Sequence, residues 1–171
     1  MSLYLIQNSA LQTTAAPVKQ PTGTAIRTMM QLKLGAGIIG KIKRWGCSGD
    51  GSAAATPGQI ELFECTVAAT MSTAYLNADI QPQDPNAPAN ASNFPIDVTS
   101  TSTSGFATAA VTEGTVAGVR NFDLQQIAPT GQFDYTWPLG NEGWLKAGNF
   151  TRIRVTFGAS INLWLWILLE V

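Results

Sequence analysis

The stretch that most limits the fold is the last, Ile161 to Val171, which reads INLWLWILLEV. One alternate set is Ile161, Leu163, Leu165, Ile167 and Leu169. The other is Asn162, Trp164, Trp166, Leu168 and Glu170. A strand with one face on a core alternates apolar with polar residues. Here the first set is wholly apolar and the second is apolar through its middle. Such a strand needs cover on both faces, so it belongs at the centre of a packed sheet or under a partner. It falls short of the roughly 20 apolar residues of a spanning helix, and one strand of bilayer height does not make a barrel. The earlier chain has to supply the cover.

Taken in order, the chain offers strands and few helix signals. Leu3–Gln7 is a short apolar run, a strand or an arm, and Asn8–Gly23, with Pro17 and Pro21, is a linker or loop. Residues 1–24 thus form an N-terminal strand or arm and linker, and 25–171 a single domain. Ala25–Leu34 reads as a strand. Ile38–Cys47 and Gln59–Val67 flank the turn-rich Asp50–Pro57 loop and predict a hairpin. Within it Cys47 faces a residue near Gln59, so a Cys47–Cys65 disulfide is not expected. Tyr75–Ile80 is a short strand or turn. Gln81–Pro95 carries Pro82, Pro85, Pro88 and Pro95 and is a long loop, of the kind that is functional or pinned by a neighbour. Ile96–Thr99 is a short strand, and the alternating Thr and Ser of 99–104 can form an exposed strand face. Arg120–Ala128 and Gln132–Trp137 are strands about the Pro129–Gly131 turn. Phe150–Phe157 places Ile153, Val155 and Phe157 on one face and forms a second hairpin with the final strand. About eight or nine strands with one long Pro-rich loop predict an all-β fold, a β-sandwich of jelly-roll type.

Composition narrows the function. Charged residues are 12% of the 171, about half the usual share, while hydrophobic residues are an ordinary 45%. A weakly charged chain with five Trp is suited to contact with other chains. A net charge of −1 leaves no electrostatic footprint for nucleic acid. Lys41, Lys43 and Arg44 read as a solvated or interfacial strand face rather than a phosphate site. The N-terminus MSLYLIQNSA has neither the basic start nor the long apolar run of a secretory signal, so synthesis in a cytoplasm is expected.

There is no histidine, which removes the usual general base and the commonest metal ligand. Two cysteines alone do not make a structural zinc site. No cofactor or metal is expected. A glycosidase needs only two carboxylates on one cleft, but scattered acids on a β protein usually serve as solvated or ladder charges. The five Trp invite a carbohydrate reading, since sugars stack on flat rings. For Trp164 and Trp166, with Leu168 beside them, core and subunit interface is the favoured reading. Trp144, in the Gly-rich loop GNEGWLKAG, is the best candidate for an exposed anchor. Together with Pro82, Pro85 and Pro88 of the long loop, these residues are the expected partner interface.

Three stretches carry a resemblance: Trp45–Pro57 (WGCSGDGSAAATP), Gln83–Pro88 (QDPNAP) and Ala128–Gly140 (APTGQF…WPLG). They resemble small β-rich structural proteins of tailed-bacteriophage virions, among them capsid decoration, or cement, proteins and tail components. The likeness runs from about Gly37 to the C-terminus. It implies a non-enzymatic subunit on the capsid surface, a homo-oligomer with a trimer favoured, and the major capsid protein as partner. The alternatives are a tail or fibre module that binds host glycans and, third, a β-sandwich hydrolase.

Overall fold

The structure is a computed structural model and describes residues 1–11, 14–91 and 93–171, so Gln12 and Thr13 of the expected linker and Ser92 of the Pro-rich loop lie outside the described residues. Its strands are β1 (Leu3–Gln7), β2 (Gln20–Pro21), β3 (Arg27–Lys33), β4 (Ile39–Gly49), β5 (Gly58–Cys65), β6 (Thr73–Ala74), β7 (Gln81–Pro82), β8 (Gly105–Phe106), β9 (Gly118–Ile127), β10 (Gln132–Thr136), β11 (Gly143–Lys146), β12 (Phe150–Thr156) and β13 (Asn162–Glu170). The one helical turn among the described residues is a 3-10 segment at Asn77–Asp79, where a strand or turn was expected.

These strands form two antiparallel sheets. The seven-stranded sheet runs β10-β4-β13-β1-β7, with β11 also on β4 and β2 also on β13. The six-stranded sheet runs β6-β8-β3-β12-β5-β9. The main ladders are β1-β13-β4-β10 and β3-β12-β5-β9, and successive main strands alternate between them except β5 and β9, which pair with each other. That is the jelly-roll pairing, a double sheet with its core between the layers. The expected fold class holds.

The expected hairpins do not. β4 pairs with β10, β11 and β13, whereas β5 pairs with β9 and β12. Likewise β12 lies in the six-stranded sheet and β13 in the seven-stranded one. Each short connection turns the corner between sheets instead of folding a strand back on its neighbour. Alternate apolar residues face a core in either arrangement, so local pattern does not distinguish the two. Cys47 and Cys65, predicted to share a hairpin, are separate buried thiols on different sheets. Burial pushes the Cys47 thiol up to about 12, which leaves it unreactive near neutrality. The Thr/Ser run of 99–104 forms turns rather than a strand face, with Ser104 Oγ accepting from Lys33 N at 2.9 Å. Ile96 makes only an isolated bridge to Leu34.

Within the first 24 residues, β1 and β2 are built into the sandwich. Tyr4 and Ile6 of β1 are fully buried, and β1 pairs with β13 over its whole length. Where β1 ends, Asn8 continues the ladder with its side chain: Nδ2 donates to Leu163 O at 3.1 Å and Oδ1 accepts from Leu165 N at 2.8 Å. A buried amide satisfied in this way holds the strand edge shut between β1 and β2.

The two sheets differ in how their outer faces are covered. On the six-stranded sheet, Gln31 and Arg152 are opposite each other and point away from the core side of Met30 and Ile153, yet both are fully buried. The long connection between β5 and β9 covers them. Gln31 Nε2 donates to Ala69 O and Thr103 O, each at 3.2 Å, and Ala69 N donates back to Gln31 Oε1 at 2.7 Å. Arg152 donates to Thr28 Oγ1 and to the Glu113 carboxylate, and its guanidinium stands 5.5 Å from the Phe63 ring centre. The chain thus covers the outward side of that sheet around β3 and β12, while Leu124 of β9 and Thr156 of β12 stay exposed. The outward side of the seven-stranded sheet carries the part-exposed Trp164, Trp166 and Leu168.

Candidate functional site: the outer face of the seven-stranded sheet

β13 sits in the middle of this face. Leu163, Leu165, Ile167 and Leu169 are fully buried between the sheets, and Trp164, Trp166, Leu168 and Glu170 stand part-exposed on the other side. The register brings them together with residues of neighbouring strands. Leu5 and Arg44 flank Leu168, Gln7 and Gly46 flank Trp166, and Leu3 and Lys41 flank Glu170. Leu3 and Leu5 were read only as an apolar run; pairing with β13 makes them part of the face.

Trp166 lies across the sheet because β4 offers a glycine. A Cβ on Gly46 would stand 2.5 Å from the Trp166 ring and 2.4 Å from Phe133 O, so any other residue displaces the indole. Asp134 of β10 lies on the far side of Gly46 from Trp166, and Arg44 Nε donates to its carboxylate at 2.7 Å. The Arg44 hydrogen bonds are the main reason that the Asp134 carboxyl sits below its ordinary range.

Trp144 was expected in a loop. It lies on β11, opposite Lys41, and is 48% exposed. Lys41 Nζ stands 4.4 Å from its ring centre, a cation–π contact. Beside them, Met1, Ile39, Lys41, Trp144, Glu170 and Val171 line a shallow cup of about 190 Å³. Ile39 is 63% exposed, and the apolar strip thus continues from Trp164 to the rim of β11.

The charges on this face are matched within the chain. Lys43 Nζ is 2.5 Å from Glu142 and 3.6 Å from Glu170, Lys41 Nζ is 3.9 Å from Glu170, and Arg44 holds Asp134. The basic cluster is therefore a paired strand face. Hydrogen bonding to Lys43 is the chief cause that brings the Glu142 carboxyl down from 4.5 to about 2. A carboxyl lowered in the fold stabilises it above the ordinary value and loses that contribution as pH falls through the folded value. Melting temperature is therefore expected to hold level above about pH 5 and to drop between pH 4.5 and about 2, less steeply in Glu142→Gln. Thermal melts across that range check this; identical slopes for the two proteins would show that Glu142 does not contribute.

One end of the face is unfinished. The Trp164 indole N–H and the Ser9 hydroxyl are buried without a hydrogen-bond partner. With Gln7 opposite Trp166 and Asn8 N donating to Leu165 O, the register puts Ser9 opposite Trp164. An unpaired buried donor costs about 1–3 kcal/mol.

The long Pro-rich loop does not provide the missing cover. Pro82 is on β7, opposite Tyr4 at the free edge of β1, and Gln83 N donates to Leu3 O at 2.8 Å. Pro88 O accepts from the hydroxyl of Tyr4, a core-facing residue, at 2.8 Å. Pro85 stands exposed in the turn closed by Asn86 N on Asp84. These contacts fix the loop along the sheet edge, and the Trp face stays part-exposed. The prolines and the tryptophans are thus two separate surfaces.

All eleven carboxylates of the chain are engaged. Eight are ion-paired: Asp50 with Lys19, Glu61 with Arg154, Glu64 with Arg120, Asp97 with Lys33, Glu113 with Arg152, Asp134 with Arg44, and Glu142 and Glu170 with Lys43. Asp79 accepts from Leu11 N and Leu76 N, Asp84 from Asn86 N, and Asp123 from the Trp45 indole. Two hollows, of about 330 and 380 Å³, are lined in part by the already paired Glu61 and Glu64. Among the described residues no cluster of three or more Cys, Asp or Glu could hold a metal ion, and no helix is long and apolar enough to cross a membrane. Compared with protein-family models, curated proteins and solved structures, the chain matches none.

Proposed function

We propose that this protein is a structural subunit of a virion rather than an enzyme, most plainly a capsid decoration protein that oligomerises and clamps neighbouring capsid subunits. The observation that supports it is the asymmetry of the sandwich. The long connection covers the outward side of the six-stranded sheet around β3 and β12, while the seven-stranded sheet keeps Trp144, Trp164, Trp166 and Leu168 toward the outside. An apolar face of this kind on a weakly charged protein is suited to burial in an assembly. The engagement of every carboxylate in ion pairs, caps and strand contacts favours this reading over a two-carboxylate hydrolase. The Pro-rich edge loop, rigid and pinned to β1, is a second contact surface suited to the major capsid protein.

A second reading has one observation in its favour. Trp144, half exposed beside a shallow cup, is the kind of ring on which a sugar stacks, which fits a tail or fibre module that binds host glycans. Immunogold electron microscopy of particles encoded by the same genome separates the two. Dense label over the head is expected. Label confined to the tail tip supports the glycan reading, and particles without label would rule out a virion role.

A further inference from the structure

We infer that the outer face of the seven-stranded sheet is occupied by a second copy of this chain, packed sheet on sheet about a two-fold axis. The inference deepens the structural-subunit reading and rests on it. Three observations select this occupant. The first is charge. Lys41, Lys43 and Arg44 are answered on the same face by Asp134, Glu142 and Glu170. No net field remains to select an acidic or a basic partner, and a surface already neutral on itself is neutral against its own copy. A two-fold interface requires that self-complementarity, because the same patch serves both sides.

The second is area. The seven strands of this sheet hold 38 residues, which at about 4.8 Å between strands and about 3.3 Å per residue give a footprint of about 600 Å². A standard interface buries about 600–1,000 Å² per partner. The third is composition across the patch. Trp164, Trp166 and Leu168 with Leu3 and Leu5 form an apolar centre, and the ion pairs lie toward the rim, the arrangement of a stable interface. The unpaired Trp164 indole and Ser9 hydroxyl lie at one end of this centre. The resemblance to virion proteins favoured a trimer; a flat, charge-balanced face favours a two-fold pair, since sheets stack face to face about 10 Å apart.

Sedimentation equilibrium of the full chain from about 1 to about 100 µM tests this. The expected mass is twice the 18.1 kDa of one chain, falling toward one chain on dilution. Leu168→Lys places a charge at the centre twice per dimer and is expected to weaken association by about 100-fold or more. Trp144→Ala, at the exposed rim, is expected to weaken it by about 10-fold with an unchanged circular dichroism spectrum, which keeps the test open if Leu168→Lys does not fold. Thr156→Lys, on an exposed position of the other sheet, is expected to leave association unchanged. A wild-type chain that stays single at about 100 µM, a trimeric mass, or dissociation by Thr156→Lys equal to that by Leu168→Lys would overturn the inference. So would a monomer retained through this face by a glycan array or by neutral phosphatidylcholine vesicles. The two readings fail separately: a dimer absent from virions sinks the virion role and leaves the pair standing, whereas a monomer that decorates heads does the reverse.

Discussion

Glu113→Ala is expected to remove about 3 kcal/mol of folding stability, a drop of about 6–12 °C in melting temperature. The Arg152 guanidinium is fully buried on the outward side of β12, and the Glu113 carboxylate is its counter-charge. Removing one partner of a buried pair leaves the other charge uncompensated, at about 3–5 kcal/mol. The Glu113 side chain keeps 21% exposure, which places the effect at the lower end. Thr28 N and Oγ1 lose their acceptor in the same step. Replacing both partners by apolar residues, Arg152→Met with Glu113→Leu, is expected to recover at least about half of the loss, because no charge is then buried. Chemical denaturation of the three proteins measures it. A single variant within about 1 kcal/mol of wild type would show that the pair does not hold the β5–β9 connection onto the sheet.

The second large effect belongs to Trp45. It is fully buried between the sheets, packs edge-on against Phe133 with ring centres 5.0 Å apart, and donates from Nε1 to Asp123 Oδ2 at 3.1 Å. That hydrogen bond joins β4 of one sheet to β9 of the other. Trp45→Ala is expected to cost about 3–5 kcal/mol through the cavity it leaves. Trp45→Phe keeps a ring in the core and loses the bond to a carboxylate, which is expected to cost about 2 kcal/mol. Asp123 keeps its contacts with Leu124 N and Gln125 Nε2, so the smaller variant should still fold cooperatively. Equal losses for Ala and Phe would mean that the hydrogen bond, not ring packing, accounts for the effect.

Much of the candidate face was legible in the sequence. The period of two in Ile161–Glu170 assigns Trp164, Trp166 and Leu168 to one side before any partner strand is known, because side chains alternate on any strand. Trp144 was legible as exposed, though as a loop residue; its strand depends on the edge of β4, which is remote in sequence. Gly46, Leu3 and Leu5 were not legible as parts of the face. Gly46 matters because Trp166 crosses over it from another strand, and no local signal marks a glycine that a distant ring requires. The cover over Arg152 and Gln31 was missed for the same reason. A buried arginine opposite a buried glutamine reads locally as the polar side of an ordinary strand, until Glu113, Ala69 and Thr103 arrive from the long connection.

By itself, then, the sequence determined the all-β class, the double apolar character of the final strand, the polar identity of the loops and the residues available for a Trp-rich face. Those follow from alternation, turn chemistry and composition, which act within a few residues. Only the tertiary structure decided which strands are neighbours. β4 and β5, and β12 and β13, part company across the sandwich, where β4 lies between β10 and β13, β5 between β9 and β12, β12 between β3 and β5, and β13 between β1 and β4. Only the tertiary structure decided, too, that the chain covers the outside of one sheet around β3 and β12 and leaves the Trp face of the other part-exposed. The long connection is anchored where Arg152 and Gln31 offer it hydrogen bonds and an ion pair. The Trp face offers apolar rings and charges already satisfied by one another, so nothing on it ties down a polar loop.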